Sequence, residues 1–553
     1  MKILLVVSAF NSLTQRVFVK LQDIGHTVSV QFAINDKSII DATNSFEPDI
    51  IICPYLKKFI PKEVFIKVPT YILHPGIKGD KGHHSLDHAI RDEKEKWGVV
   101  ILRANEHFDG GDIYSEVNFD MRDTYKASLY RDEVSSATAK AIDELLINIQ
   151  DETFIPTPQL STPMHHYLSN DDRAIDWDKD TSAQIVKKIY VSDSYPGVLD
   201  NILGIECYLF GAWEEEKLTG DVKQIIAKRD GAICLGTIDG AVWITHLKAK
   251  DGFKLPATYV LKDKIKGVKE DRLALIFDMT YKTFYEIGSH RDDDVAYLCF
   301  NFHNGAMSSE QCIRLKYAFE YIKEDAKVVV LIGARDFFSN GIHLNILEDS
   351  KKQGEDGWSN INAMNDLIKS IIFADDVITI SSLHRNAGAG GVFLALACDH
   401  VVGCSGIVLN PHYKTIGLSG SEYHTYSLPK RIGIEKSNEL LDTCLPISIE
   451  KSKEIGMVDE VFDEENYFDD LRAYAKTFIE DEEKYEDTLW DKEDYLEENR
   501  DFINSCKENE IKVMYPEFWE KESEFHKLRY NFVHKVCPTC TPKRLQNEMF
   551  FND

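Results

Sequence analysis

The chain has 553 residues, of which 43% are hydrophobic and 28% charged, the composition of an ordinary globular protein. That length accommodates about three or four folded units. A net charge of −28 excludes nucleic acid as the principal partner, because phosphates need a basic face. No apolar run reaches the roughly 18 residues of a membrane helix, so no membrane association is expected.

Met1–Val7 is apolar and turns polar at Ser8, Asn11 and Ser12 without a small-residue cleavage site. It reads as a buried first strand and not a signal peptide. Eleven cysteines, an odd number scattered along the chain, fit reduced thiols and a cytoplasmic setting. The one close pair, Cys537 and Cys540, lacks the second pair that a four-ligand site needs. It reads as two thiols in a C-terminal turn, and no metal is expected.

From residue 1 to about 150, short apolar runs alternate with amphipathic stretches. Lys2–Val7, Thr27–Phe32, Ile50–Cys53, Thr70–Leu73 and Val99–Leu102 are expected strands. Gln15–Gly25, Ser85–Lys96 and Ser136–Ile149 are expected helices. The alternation predicts a mostly parallel, doubly wound sheet. The first loop lacks Gly-x-Gly-x-x-Gly, so no dinucleotide fingerprint is present. Residues 151–164 form a linker, with three prolines between Ile155 and Pro163. In 165–265 a helix at Ser182–Tyr190 precedes short strands at Glu206–Phe210, Val222–Lys228, Ala232–Thr237 and Ala241–Leu247, the pattern of a small β-barrel or meander. The βα rhythm returns in 270–460. Strands are expected at Val295–Phe300, Val328–Ile332 and Val377–Ser381, and helices at Ser308–Ile322 and Asn362–Ile372. Residues 461–553 read as a charged helical region to about Val536, with acidic runs such as Glu480–Glu483 as solvated faces. The fold class is therefore α/β and multidomain.

Two places carry chemistry. His74 follows the strand Thr70–Leu73 and Asp109 lies beyond the strand Val99–Leu102, so both reach a sheet's C-terminal edge, where ligands bind in open α/β sheets. Such a pair moves protons and holds a tetrahedral intermediate. The second place is the run Asn386–Gly391, whose glycines let a ligand approach the backbone and leave N–H groups free. Near it stand Tyr413, Glu422 and Tyr426. Glu422 and Tyr426 share a face if their segment is helical, with Ser421 as its N-cap.

Residues 1–250 resemble the 10-formyltetrahydrofolate-dependent formyltransferase and hydrolase family. The family pattern runs Asn-x-His-Pro-Ser, a loop ending Arg-Gly, Trp-Ala-Ile, Gly-Val-Thr and Asp-x-Gly-Asp-Ile. Here it appears as His74-Pro75-Gly76, Lys81-Gly82, His88-Ala89-Ile90, Gly98-Val99-Val100 and Asp109-Gly110-Gly111-Asp112-Ile113, followed by Ile175-Asp176-Trp177 and Pro196-Gly197. The resemblance implies catalytic roles for His74 and Asp109. The family's catalytic Asn is replaced by Ile72.

Residues from about 290 to 460 resemble the crotonase (enoyl-CoA hydratase/isomerase) family, through Phe337–Leu344 and Asn386–Gly391. That resemblance implies oxyanion donors at the Ile342 and Gly390 peptide N–H groups. The family's Asp after the first Gly is His343. The hydratase glutamates fall on Phe393 and, within a residue, His412, so water addition is not expected.

The joined halves resemble a hydrogenase-maturation family, with Ala9–Arg16, Gly79–Gly82 and Gly420–Tyr423 carrying that likeness. It implies that a formyl group leaves 10-formyltetrahydrofolate, passes to coenzyme A and ends as carbon monoxide, a ligand of the iron in [NiFe]-hydrogenase. It also implies other hydrogenase-maturation proteins as partners. Glu422 is the expected base, assisted by Tyr413 or Tyr426. Both substrates are anions facing a net negative chain, so local compensation is expected. Gln15, Arg16, Arg131, Lys543 and Arg544 are the candidates, with Ser194 as a hydroxyl donor. The alternative is a deformylase releasing formate, its crotonase half a CoA-sensing or oligomerising module.

Overall fold

The computed structural model describes residues 1–277 and 280–547. It divides into two compact units. The first holds Met1–Arg272, Thr280–Phe284 and the described chain from Pro538; the second holds the stretch from Leu273 and Tyr285–Cys537.

The first unit opens with β1 (Lys2–Val7), β2 (Thr27–Phe32), β3 (Ile50–Cys53), β4 (Thr70–His74), β5 (Lys96–Arg103) and β6 (Ile113–Asp120). They form one sheet in the order β2-β1-β3-β4-β5-β6. Its first four strands are parallel, and β5 and β6 are antiparallel additions. Val, Ile and Leu fill β1 because helices cover both faces of a parallel sheet; Ile3–Val7 are fully buried. β6, with alternating burial, was not expected from the sequence. The expected helix Ser85–Lys96 is shorter: it ends at Arg91, Glu93 takes a left-handed φ of 51°, and Lys96 already belongs to β5. Burying Trp97 as a strand residue outweighs continuing the helix.

The linker is more structured than its prolines suggest. Thr157 exchanges two backbone hydrogen bonds with Ile113, at 2.7 and 3.0 Å, and the His165 N–H donates to Lys81 O at 2.9 Å. Beyond it, strands Val198–Ile202, Ile205–Glu215, Ala241–Ala249, Ala232–Gly236 and Ile225–Arg229 are antiparallel neighbours in that order. The helix Ser182–Ser192 packs Ile185 and Ile189 into their core with Trp177, Leu209 and Ile244. The chain's last described residues return to this unit. The Phe32 N–H donates to Thr541 Oγ1 and the Asn547 N–H to Ser29 Oγ, along the outer edge of β2.

The second unit holds a six-stranded sheet in the order Ile287–Asp292, Val295–Phe300, Val328–Ile332, Ile378–Leu383, His400–Cys404, Glu460–Phe462. Only its first pair is antiparallel. Helices Ser309–Lys323 and Gln353–Ile372 pack together, the latter beginning nine residues before the expected Asn362. The charged region is helical as expected, in Tyr467–Thr477, Glu482–Trp519 and Glu524–Val533. The 38-residue helix Glu482–Trp519 buries Leu496, Ile503, Glu510, Met514 and Phe518, one stripe at helical spacing. No helix of the described residues is long and apolar enough to cross a membrane.

Candidate active sites

The first site lies at the C-terminal end of β4. His74 ends that strand and is buried. Its Nε2 is 2.6 Å from Asp80 Oδ2, and its Nδ1 is 3.6 Å from Asp109 Oδ2. The structure therefore brings the two expected residues together and adds Asp80, which the motif pattern did not single out. Burial opposes a charged His74, but the Asp80 hydrogen bond and the charges of Asp109 and Asp80 outweigh it and hold the imidazole above its ordinary value. Burial lifts the Asp109 carboxyl above its ordinary value, against the opposing effects of His74 and the Gly82 N–H. Asp80 moves the other way: its burial is overcome by hydrogen bonds from His74 and Ser85. Two carboxyls with opposite shifts flank one imidazole, an arrangement that divides acid and base roles.

The backbone is shaped to allow this. Asp109 has φ 49°, a left-handed conformation that turns its carboxylate back toward His74, where it accepts from the Gly82 N–H at 3.2 Å. A Cβ on Gly76 would come within 2.5 Å of His74 Nε2, so only glycine fits there beside the His74–Asp80 contact. Gln159, from the linker, bridges the site: its Oε1 accepts from the Gly79 N–H at 2.8 Å and its Nε2 donates to Asp109 O at 3.3 Å. Ile72 is half-buried in β4 and offers no amide.

Gln15 and Arg16 lie in the first helix after β1, and Arg131 ends a separate short helix. Arg16 Nη1 donates to Ser135 and Ser136 at 3.3 and 3.0 Å, next to the short helix Lys126–Arg131. Gln15 Nε2 donates to Phe10 O. Lys543 and Arg544 form a turn beside β2, whose C-terminal end Thr541 touches. Ser194 is exposed, with φ 65°, before the Tyr195–Pro196 bond.

In the second unit, the loop Ser339–Ile342 lies against Gly390: a Cβ on Gly341 would come within 3.1 Å of Gly390 N. The His343 N–H donates to Met307 O at 3.1 Å, so by strand alternation the Ile342 N–H faces away from that partner strand. Gly390 begins the helix Gly390–Leu396, where backbone N–H groups have no helical acceptor. Ala389 before it has φ 47°, rare for alanine.

Glu422 stands at this point. It is 1% exposed, and a Cβ on Gly390 would come within 2.7 Å of its Oε1. Its Oε2 accepts from Tyr413 OH at 2.7 Å, and its N–H donates to Asn365 Oδ1 at 3.0 Å. Burial lifts the Glu422 carboxyl above its ordinary value and Glu510 adds to this; Tyr413 works against it. Tyr413 is held well above its ordinary value by burial and by Glu422, so it stays a donor. Phe393, onto which the resemblance places a hydratase glutamate, stacks on Tyr413 with ring centroids 5.4 Å apart. His343 is pushed down to about 4 by burial and is neutral; its Nδ1 accepts from the Ile346 N–H and caps a helix.

Two expectations are corrected. Glu422 is not helical: Glu422 and Tyr423 have φ 63° and 56°, and the helix runs His424–Ile432 with Tyr423, not Ser421, at its N-cap. Tyr426 consequently turns away from Glu422, its hydroxyl 3.5 Å from that of Tyr495. Glu510 was missed because it sits in a highly charged helix. It accepts from the Tyr423 and Thr425 N–H groups at 3.0 and 2.8 Å and from Thr425 Oγ1 at 2.5 Å, holding the loop. Among the described residues, no group of three or more His, Cys, Asp or Glu is disposed to hold a metal.

Three family models match. "Formyl transferase" covers residues 2–146, "Formyl transferase, C-terminal domain" 167–264 and "Enoyl-CoA hydratase/isomerase" 292–535. The hydrogenase maturation factor HoxX of Bradyrhizobium diazoefficiens is 35% identical over 98% of this chain and 96% of its own. The chain belongs to the HoxX/HypX family. The crystal structure of an Aquifex aeolicus HypX variant superposes with a TM-score of 0.96 at 40% identity, over 99% of this chain and 98% of that one. The same HypX in complex with tetrahydrofolic acid gives 0.95 at 41%, over the same shares. Family membership makes this a hydrogenase maturation factor built from formyltransferase and crotonase-type domains, and those domains are enzymatic ones.

Proposed function

We propose that the chain takes a formyl group from 10-formyltetrahydrofolate, passes it to coenzyme A, and releases it from formyl-CoA as carbon monoxide for the iron of [NiFe]-hydrogenase. Folate and coenzyme A act as substrates, donor and acceptor. The tetrahydrofolate complex of the HypX relative supports the first, and the enoyl-CoA hydratase/isomerase match supports the second.

At the first site His74 takes the thiol proton and Asp109 supplies a proton to the departing folate nitrogen. Gln15, Arg16, Arg131, Lys543 and Arg544 offer the positive charge and donors that anionic substrates need in an acidic chain. Ser194 offers a hydroxyl.

At the second site the Ile342 and Gly390 N–H groups polarise the formyl oxygen. Glu422 removes the formyl hydrogen as a proton. The C–H electron pair becomes the carbon lone pair of carbon monoxide, the C–S pair leaves with sulfur, and the proton returns to sulfur as the thiol. Tyr413 steadies the carboxylate. The observation that carries this reading is a buried carboxyl with a raised proton affinity, set against an oxyanion donor, with apolar Phe393 stacked on its partner Tyr413.

Glu422→Gln tests it. The expected result is a loss of carbon monoxide release on the order of 10³-fold, with formyl removal from folate unchanged. Wild-type release from Glu422→Gln would end the assignment.

A further inference from the structure

The first site contains more proton-carrying groups than a His–Asp pair. From His74 the hydrogen bonds continue outward: Nε2 to Asp80 Oδ2 at 2.6 Å, then Asp80 Oδ1 to His165 Nε2 at 2.8 Å. Asp80 is buried, 5% exposed, and Ser85 Oγ also donates to it at 2.5 Å. The His165 side chain is 34% exposed, so the line runs from a buried imidazole to one that meets solvent.

Each link is built, not incidental. Gly76 vacates the space that a side chain would take from the His74–Asp80 contact. Ser85 Oγ also lies 2.9 Å from Pro75 O, so its single proton is shared between that carbonyl and Asp80, which fixes the serine beside the carboxylate. His165, directly after the linker, is presented by its pairing with Gly82, and His88 stacks on its ring at 4.3 Å with 18° between planes. Thr162 Oγ1 donates to Gly79 O, and Leu160 lies over Gly79, so the same segment covers the loop that carries Asp80.

We propose that Asp80 and His165 form, with His74, a proton path that exchanges the His74 proton with solvent while the formyl pocket stays closed to water. The inference rests on the proposed transfer to a thiol. That transfer conserves protons overall: the S–H proton leaves as the S–C bond forms, and the folate nitrogen gains one as the C–N bond breaks. The two events need not coincide, and the path gives the first proton a place to wait. Water inside the pocket could serve as carrier, but it would also be a competing acceptor and yield formate. Asp80 and His165 act through His74 and do not touch substrate.

His165→Ala in the full-length chain is the test. Loss of the formyl group from 10-formyltetrahydrofolate is followed with coenzyme A present, and tetrahydrofolate binding is measured by calorimetry on the same sample. The expected rate falls on the order of 10²-fold with binding unchanged, and added imidazole restores roughly tenfold of it. A wild-type rate, or a slowed rate that imidazole leaves untouched, overturns the proposal. If His165→Ala does not fold, His165→Gln keeps a donor to Asp80 without relaying a proton; it should be slowed equally, and a wild-type rate overturns the path. A wild-type chain that removes no formyl group contradicts the first-site reading itself, whatever His165 does.

Discussion

Glu422 combines three unfavourable features: burial, a carboxyl held above its ordinary value and a left-handed backbone. Strain of this kind persists where the surroundings over-determine it, often at active sites. Its sign is testable. The folded chain holds the Glu422 proton more tightly than the unfolded chain does. The resulting stability is complete below the unfolded value and is lost as pH rises through the folded one. Glu422→Gln should therefore raise the melting temperature at pH 7 to 8 relative to wild type and weaken its fall with pH, while abolishing carbon monoxide release. A lower melting temperature at pH 8 would contradict this. Gly390→Ala makes the complementary prediction. Its methyl would fall on Glu422 Oε1 and Met364 Cε, each within 2.7 Å, so release should drop on the order of 10²-fold while formyl removal at the first site persists. Ile342, Gly390 and Glu422 stood out in the sequence through the runs Phe337–Leu344, Asn386–Gly391 and Gly420–Tyr423, and Tyr413 only as a polar residue near them. Asp80 did not, since its role depends on the space left by Gly76, and glycine in a turn looks ordinary in sequence.

At the scale of elements, the helix Glu482–Trp519 is a strut for the loop that carries Glu422. Glu510 and Glu517 lie two turns apart on one face. Glu510 binds the Tyr423 and Thr425 amides, and Glu517 accepts from the Ser419 N–H at 3.0 Å. Glu510→Ala leaves the buried Tyr423 N–H and the part-buried Thr425 N–H without their acceptor, a cost of roughly 1–3 kcal/mol. Thermal unfolding should show it as a drop of about 2–4 °C per kcal/mol for a unit this size, with carbon monoxide release impaired. Glu510→Ala with wild-type stability would remove the strut. Acidic residues in a charged helix read as solvated, because sequence does not reveal which face meets a loop. The parallel strands were legible through their apolar runs, whereas β6 alternates and its half-exposed pattern was lost among turns. The linker's prolines marked extended chain but hid that Gln159 bridges Gly79 and Asp109 and that His165, just after it, reaches Asp80.

For the molecule as a whole, the first unit carries the formyltransferase matches and the second the enoyl-CoA hydratase/isomerase match. Each site lacks one residue class of the family it resembles: an amide at Ile72, and carboxylates at Phe393 and near His412. The two losses suit one route, in which a thiol accepts the formyl group and water is never added. Carbon-labelled 10-formyltetrahydrofolate, supplied to the full-length chain with and without coenzyme A, tests that route most directly, with gas trapped by a haem protein and formate measured alongside. Labelled carbon monoxide is expected only when coenzyme A is present. Labelled formate independent of coenzyme A, with no labelled carbon monoxide, would contradict it.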